Sequence, residues 1–206
     1  GASGQSCVAG SRVIVQKNIA SKLKEIIEQK SKKIIVGNPL DPKTNLGPLC
    51  TSKQIEIIEN TINKSVSQGA EIIFGGKKIE KEGNYFEPTL IYCPHRDIET
   101  LKIEMFGPVI SLIEFDSEED AIDLANDSEY GLGSGLFTKD LSRAHRVSKE
   151  IKAGICRINT YRVISPIAAF GGFNQSGYAR EAGKQSIFDY TRTKTTWINT
   201  SEDRKS

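Results

Sequence analysis

Apolar positions along the chain recur at two spacings, about 3.6 residues and two, and their alternation lays out the elements. Arg12-Val13-Ile14-Val15-Gln16 is rich in β-branched residues and reads as a strand. Ile19, Leu23, Ile26 and Ile27 then fall at helical spacing and predict a helix with those four on its buried face. Gly37-Asn38-Pro39-Leu40-Asp41-Pro42 breaks the pattern, because each proline drives the residue before it out of the α region. A second helix is expected from Thr51, where Thr51-Ser52-Lys53-Gln54 has the capping-box form, and it runs through Ile55, Ile58, Ile62 and Val66 until Gly69 ends it. Residues 70–74 and 85–92 read as a strand pair joined by the Gly75-Gly76 turn and a charged loop.

After Pro108 the pattern is more regular. It predicts strand 109–115, helix 118–126, strand 135–138, helix 141–150 and strand 155–159, with Ser117 and Asp140 as N-caps. Strands and helices alternating at this length imply parallel strands joined by crossovers, so the fold class is α/β: a mostly parallel twisted sheet with flanking helices. Residues 189–198 alternate polar with β-forming side chains and predict a terminal strand that needs a partner, commonly another subunit, while 201–206 are expected to fray. The domain reading is one α/β domain over 1–188, a β arm over 189–200 and a disordered tail over 201–206. Gly131-Leu132-Gly133-Ser134-Gly135 leaves a helix and enters a strand, the reverse of a dinucleotide fingerprint, and is not read as one.

Composition narrows the partners. The 206 residues carry 28 basic and 26 acidic side chains, a formal charge of +2, which supplies no basic field for nucleic acid or an anionic membrane. A small-molecule or protein partner fits better. No run of about 18 apolar residues is present, so no membrane span is expected. Cys7, Cys50, Cys93 and Cys156 are unevenly spread, with no C-x-x-C pair and no histidine at ligand spacing. Neither a metal site nor a disulfide framework follows, and a reducing, cytoplasmic location is expected.

Candidate chemistry begins at Cys7 in Gly4-Gln5-Ser6-Cys7-Val8-Ala9-Gly10-Ser11-Arg12, a thiol flanked by small residues that let a ligand approach closely. Alone, that stretch is equally compatible with an inert, small hydrophobic cysteine. Three further stretches decide: Glu104-Met105-Phe106-Gly107-Pro108-Val109; Asn126 through Tyr130-Gly131-Leu132 with Phe137-Thr138; and Asn159 with Phe170-Gly171-Gly172, Ser176-Gly177 and Arg180-Glu181. In order and spacing, across essentially the whole chain, these four stretches resemble the aldehyde dehydrogenase superfamily.

The resemblance implies an NAD(P)-dependent oxidation of an aldehyde to a carboxylic acid. Cys7 matches the nucleophile that attacks the carbonyl carbon, its own amide helping to bind the oxyanion. Glu104 matches the carboxylate that accepts hydrogen bonds from the nicotinamide ribose, and Phe106 the aromatic beside it. Thr160, Tyr161, Arg162 and Ile164, with Phe170 in part, match the segment lining the aldehyde tunnel, where Arg162 would favour a polar or anionic substrate. Arg12 and Asn159 are read as structural, bonding to loop carbonyls; Gln54 matches a position near the cofactor ribose but serves equally as a helix cap. The terminal strand resembles the family's oligomerisation arm and implies a homo-oligomer, a dimer or tetramer. The family's hydrolytic glutamate, its oxyanion-hole asparagine and its dinucleotide-binding domain all precede the nucleophile and stand outside this sequence, so the 206 residues alone are not expected to turn over aldehyde, and the choice between NAD and NADP is not made by them.

Two other readings compete. A cysteine hydrolase would need a histidine base, yet His95 follows Cys93-Pro94 in a loop and His145 lies on an amphipathic helix. A non-catalytic remnant or interaction module would retain the fold without the missing parts.

Overall fold

The computed structural model describes residues 2–200; the tail expected over 201–206 lies outside them. Two sheets form. The larger has four strands in the order β1-β4-β3-β2, with β1 Arg12–Gln16, β2 Glu71–Phe74, β3 Thr89–Cys93 and β4 Val109–Phe115. β4 pairs in parallel with both β1 and β3, whereas β2 runs antiparallel at the edge. A second, two-stranded parallel sheet joins β5 Gly133–Leu136 to β6 Ile155–Ile158. The α/β reading with mostly parallel strands is therefore correct, but the regular stretch after Pro108 is divided, its first strand in one sheet and its last two in the other.

Alternation along the central strands explains the layers. On β3 and β4, Ile91, Cys93, Val109 and Ile113 point to one face, while Leu90 and Leu112 point to the other. The first face is covered by α2 Ser52–Ser67 through Ile55, Ile58 and Ile62, by the short α3 Glu99–Lys102 through Leu101, and by α4 Glu118–Asn126 through Leu124. The second is covered by α1 Lys17–Ser31. Ile58, Leu90, Ile91 and Leu112 have no solvent exposure, and burying each such side chain contributes roughly 1.5–3 kcal/mol.

Helix α1 corrects the expected face. Ala20 is buried and Leu23 and Ile27 pack on the sheet, but Ile19 and Ile26 are exposed. The buried stripe also takes in Lys24, which pairs with Glu114 of β4 at 3.0 Å and lies 3.7 Å above the Tyr92 ring. That contact rotates the helix away from its most apolar arc. Helix α2 begins as read: Thr51 accepts from the Gln54 amide, and the chain turns at Gly69 with φ +100°. Its last expected core residue, Val66, is exposed; Ser65 is buried instead and accepts from the Thr100 amide at 3.0 Å, fastening α3 to α2. Ser117 and Asp140 cap α4 and α5 Leu141–Glu150, each accepting from the amide three residues on.

Strand β5 starts at Gly133, two residues before the expected 135–138. Residues 191–200 are exposed and belong to no helix or strand of this chain, so the terminal strand read over 189–198 does not form here; the last assigned element is the short α6 Ser186–Asp189. No helix among the described residues is long and apolar enough to cross a membrane.

Candidate active site

Cys7 stands on a turn in which Ala9 N–H donates to Ser6 C=O at 2.9 Å, so the thiol occupies an exposed corner. The amides of Cys7 and Val8 donate to nothing among the described residues, which leaves them free for an oxyanion. Side chains before the turn tie it down. Ser3 donates to Gly47 C=O at 2.8 Å, and the Gln5 carbonyl accepts from the Cys50 amide at 2.9 Å. Gln5 of the Gln-x-Cys stretch is thus a brace.

Gly4 brings this loop onto the Glu104-to-Pro108 segment. Its φ is +76°, and a Cβ there would lie 2.0 Å from the carbonyl oxygen of Gly107, so only glycine permits the approach. Gly107 in turn rests on Ile58, whose Cδ1 would lie 2.3 Å from a Cβ at Gly107. The segment is held from below by buried Met105 and from the side by the Gln54 amide group, which donates to Met105 C=O. Gln54 therefore does not close the capping box with its side chain; it positions the motif. Phe106 takes φ +42°, a strained conformation for an aromatic residue, and projects its ring half-exposed.

Cys7, Glu104, Phe106 and Tyr161 line one cleft of about 580 Å³, whose far wall is the stretch from Tyr130 to Gly135. Glu104 makes no hydrogen bond or ion pair among the described residues, and burial raises its carboxyl pKa. A carboxylate with unused acceptors beside the thiol can take two vicinal hydroxyls, and Phe106 offers a flat apolar face next to it, so the two fit the ribose and ring of a nicotinamide cofactor. Tyr161 packs on Gly10 and Gly135, positions where a Cβ would meet its ring at 3.5 and 2.6 Å. Burial pushes its phenol pKa up, and the nearby charge of Arg157 opposes that.

The remaining residues matched to the substrate tunnel divide. Arg162, at φ +63°, lines an adjoining cavity of about 360 Å³ together with Glu104, Phe106 and Tyr161. Ile164 is exposed and lines neither space, and Phe170 is paired with Glu181 through two 2.7 Å backbone hydrogen bonds, away from both. Neither His95 nor His145 lines either cavity. No group of side chains able to hold a metal ion occurs among the described residues.

Arg12 and Asn159 are scaffolding, as read. The guanidinium of Arg12 donates to the carbonyls of Leu124, Ala125 and Asp127 at 3.0, 3.0 and 3.1 Å, closing the C-terminal end of α4. Asn159 grips Thr138 from both sides, accepting from its amide at 2.9 Å and donating to its carbonyl at 2.8 Å. For Gln54, placed by sequence near the cofactor ribose or at a helix cap, the structure adds the bond to Met105. Arg157 is not signalled by any motif; it is a charge inside the apolar strand Ile155-Cys156-Arg157-Ile158, and that break in the pattern is the available signal. Arg157 is 5% exposed, donates through Nε to Val163 C=O at 2.9 Å, and leaves both terminal nitrogens without a partner.

Comparison with known proteins shows which family shares this sequence and fold. The chain is 44% identical to (Z)-2-((N-methylformamido)methylene)-5-hydroxybutyrolactone dehydrogenase of Acinetobacter baylyi over 98% of its length, and 39% identical to a betaine aldehyde dehydrogenase of Mesorhizobium japonicum over 97%. It spans 41% and 42% of those proteins. The structure superposes on betaine aldehyde dehydrogenase of Staphylococcus aureus in complex with NAD+ with a TM-score of 0.88, at 37% identity, over 92% of this chain and 38% of that one. The aldehyde dehydrogenase family model matches residues 1–196, nearly all that the structure describes, and the chain belongs to that family.

Proposed function

We propose that the full-length protein oxidises an aldehyde to a carboxylic acid with NAD or NADP, and that this chain contributes the nucleophile and the nicotinamide end of the cofactor site. The observation that carries the reading is the meeting of Cys7, Glu104 and Phe106, far apart in sequence, around one cleft. The thiolate of Cys7 adds to the carbonyl carbon, the amides of Cys7 and Val8 take the oxygen that becomes negative, and water later releases the acid from the thioester. Glu104 and Phe106 hold the ribose and ring. The cofactor, when bound, supplies the hydride acceptor.

The arrangement separates labour as the lengths suggest. Relatives are more than twice as long as the matched region, and Glu104 and Phe106 reach only one end of a dinucleotide, so most cofactor affinity must come from elsewhere. The stretch 189–200 is proposed as an arm that pairs with another subunit, because its polar and β-forming side chains alternate along an exposed segment. The protein is proposed to act in the cytoplasm, which free, unpaired cysteines suit.

The nucleophile reading is tested by timed alkylation of the 206-residue chain with iodoacetamide, followed by peptide mass mapping. Cys7 and Cys50 are both exposed, but the Cys50 amide donates to Gln5, whereas the amide of Cys7 itself donates to nothing among the described residues. Cys7 is expected to label several-fold faster than Cys50 and far ahead of buried Cys93. Equal rates at Cys7 and Cys50 refute the assignment.

A further inference from the structure

Arg157 is the one place among the described residues where buried side-chain polar atoms lack any hydrogen-bond partner. A guanidinium carries five N–H donors and no acceptor, so its terminal nitrogens call for acceptors. Buried charges in native proteins are paired, and a planar fork with both outer nitrogens open is shaped for a carboxylate. The Nε bond to Val163 C=O fixes the plane and leaves the outer edge unused.

That edge sits directly behind the Cys7 cleft. Nη1 lies 3.5 Å from the point where Gly133 would carry a Cβ, and Val8, the residue after Cys7, is 3.7 Å from the same point. Gly135 faces Arg157 across the β5/β6 ladder, and the Tyr161 ring lies 5.6 Å from the guanidinium carbon. Gly133, Gly135 and Tyr161 all line the cleft, so a glycine wall and one ring separate the cation from the space beside the thiol. The phenol makes no hydrogen bond among the described residues. The charge balance points the same way: Glu104 is the cleft's sole acidic lining residue, and no acid pairs with Arg157 or Arg162.

We propose that Arg157 is a carboxylate-binding residue beneath the Cys7 cleft, and that the substrates are aldehydes carrying a carboxylate rather than a quaternary ammonium group. The substrate clause rests on the aldehyde dehydrogenase reading; the anion site does not. A small ligand is favoured over an acidic residue from another part of the protein because Val8, Gly133 and Tyr161 of this same chain already stand against the guanidinium, and Gly133 and Tyr161 are themselves cleft-lining residues.

The direct test is calorimetric titration of the 206-residue chain with sodium formate and acetate, against sodium chloride and tetramethylammonium chloride. Saturable binding of formate and acetate is expected, with none for tetramethylammonium. Arg157→Met should abolish it, and Arg157→Lys, which keeps the charge but not the fork, should retain a weakened part. Absence of saturable carboxylate binding, or equal binding by Arg157→Met, overturns the site; that result is also expected if water or an acidic residue from elsewhere in the protein is the true partner. Should Arg157→Met fail to fold, Arg157→Lys and Arg157→Gln carry the comparison. The charge preference at the thiol is read by labelling Cys7 with iodoacetate and iodoacetamide: the rate ratio should fall about tenfold on removing the cation. An unchanged ratio overturns the substrate clause. If Cys7 labels no faster than Cys50 while formate still binds through Arg157, the nucleophile reading fails and the anion site stands.

Discussion

Arg12→Met is the most informative single substitution. Arg12 leaves β1 and donates to Leu124 and Ala125, two carbonyls that the last turn of α4 cannot satisfy, and to Asp127 just beyond. Helix α4 has no basic residue in its own last turn, so this strand residue also supplies the cation that its dipole favours there. A hydrogen bond from a charged donor is worth about 1.5–3 kcal/mol, but the three share one group and are not additive. Burial lowers the Arg12 pKa, with the charge of Asp127 opposing, so desolvation offsets part of the gain. The net loss expected for Arg12→Met is about 2–4 kcal/mol, or roughly 4–16 °C in melting temperature for a chain of this size. Urea unfolding followed by far-ultraviolet circular dichroism measures it, and Arg12→Lys should recover about half, since a single ammonium reaches fewer carbonyls. Hydrogen exchange adds a local signature: amides 131–133, the cleft wall that follows α4, should lose protection. If Arg12→Met unfolds within about 0.5 kcal/mol of the parent chain, the strand-to-helix clamp is not what holds the wall.

Ile58→Ala opens a void under Gly107 in a site with no solvent exposure, and should cost about 2–5 kcal/mol against about 0.5–1.5 for Ile58→Val, as measured by denaturant titration. Similar losses for the two variants would show that the site collapses around the smaller side chain. Glu104 is exposed on the cleft and only partly desolvated there, which raises its folded-state pKa: the acid form is favoured on folding, so the small associated stability is complete below the ordinary carboxylate range and is lost as pH rises through the folded pKa. Glu104→Gln should therefore melt higher than the parent near neutral pH, with the difference vanishing in acid; a constant difference across that range would refute it.

Much of the scaffold could be read from local pattern. Cap residues Thr51, Ser117 and Asp140 mark three helix starts because the chemistry of an N-cap depends on a side chain and an amide three residues apart. Strand β5 was displaced because Gly133-Ser134-Gly135 looks like a loop; glycine stands at 135 to admit the Tyr161 ring, a contact made by residues far along the chain. The face of α1 was misjudged for a related reason, since the pairing of Lys24 with Glu114 depends on which strand lies beneath. At the site, motif matching singles out Cys7, Glu104 and Phe106, which line one cleft, and also Ile164 and Phe170, which line neither cavity formed by the described residues. Arg157 went unnoticed because its meaning lies in what fails to surround it.

The parallel pairing of β1 with β4 makes the cleft a late product of folding. Residues 12–16 have no strand neighbour until 111–115 arrive, and α1, α2, β2, β3 and α3 all lie between. Closing a loop of that size costs chain entropy that the helices and the β2/β3 pair do not incur, so those parts can settle first. During synthesis the thiol is therefore carried on an unpaired strand, without Gly107 beneath it or the α4 carbonyls within reach of Arg12. Until that pairing forms, Cys7 has neither the Gly107 contact nor the Arg12 clamp that position its loop in the folded chain.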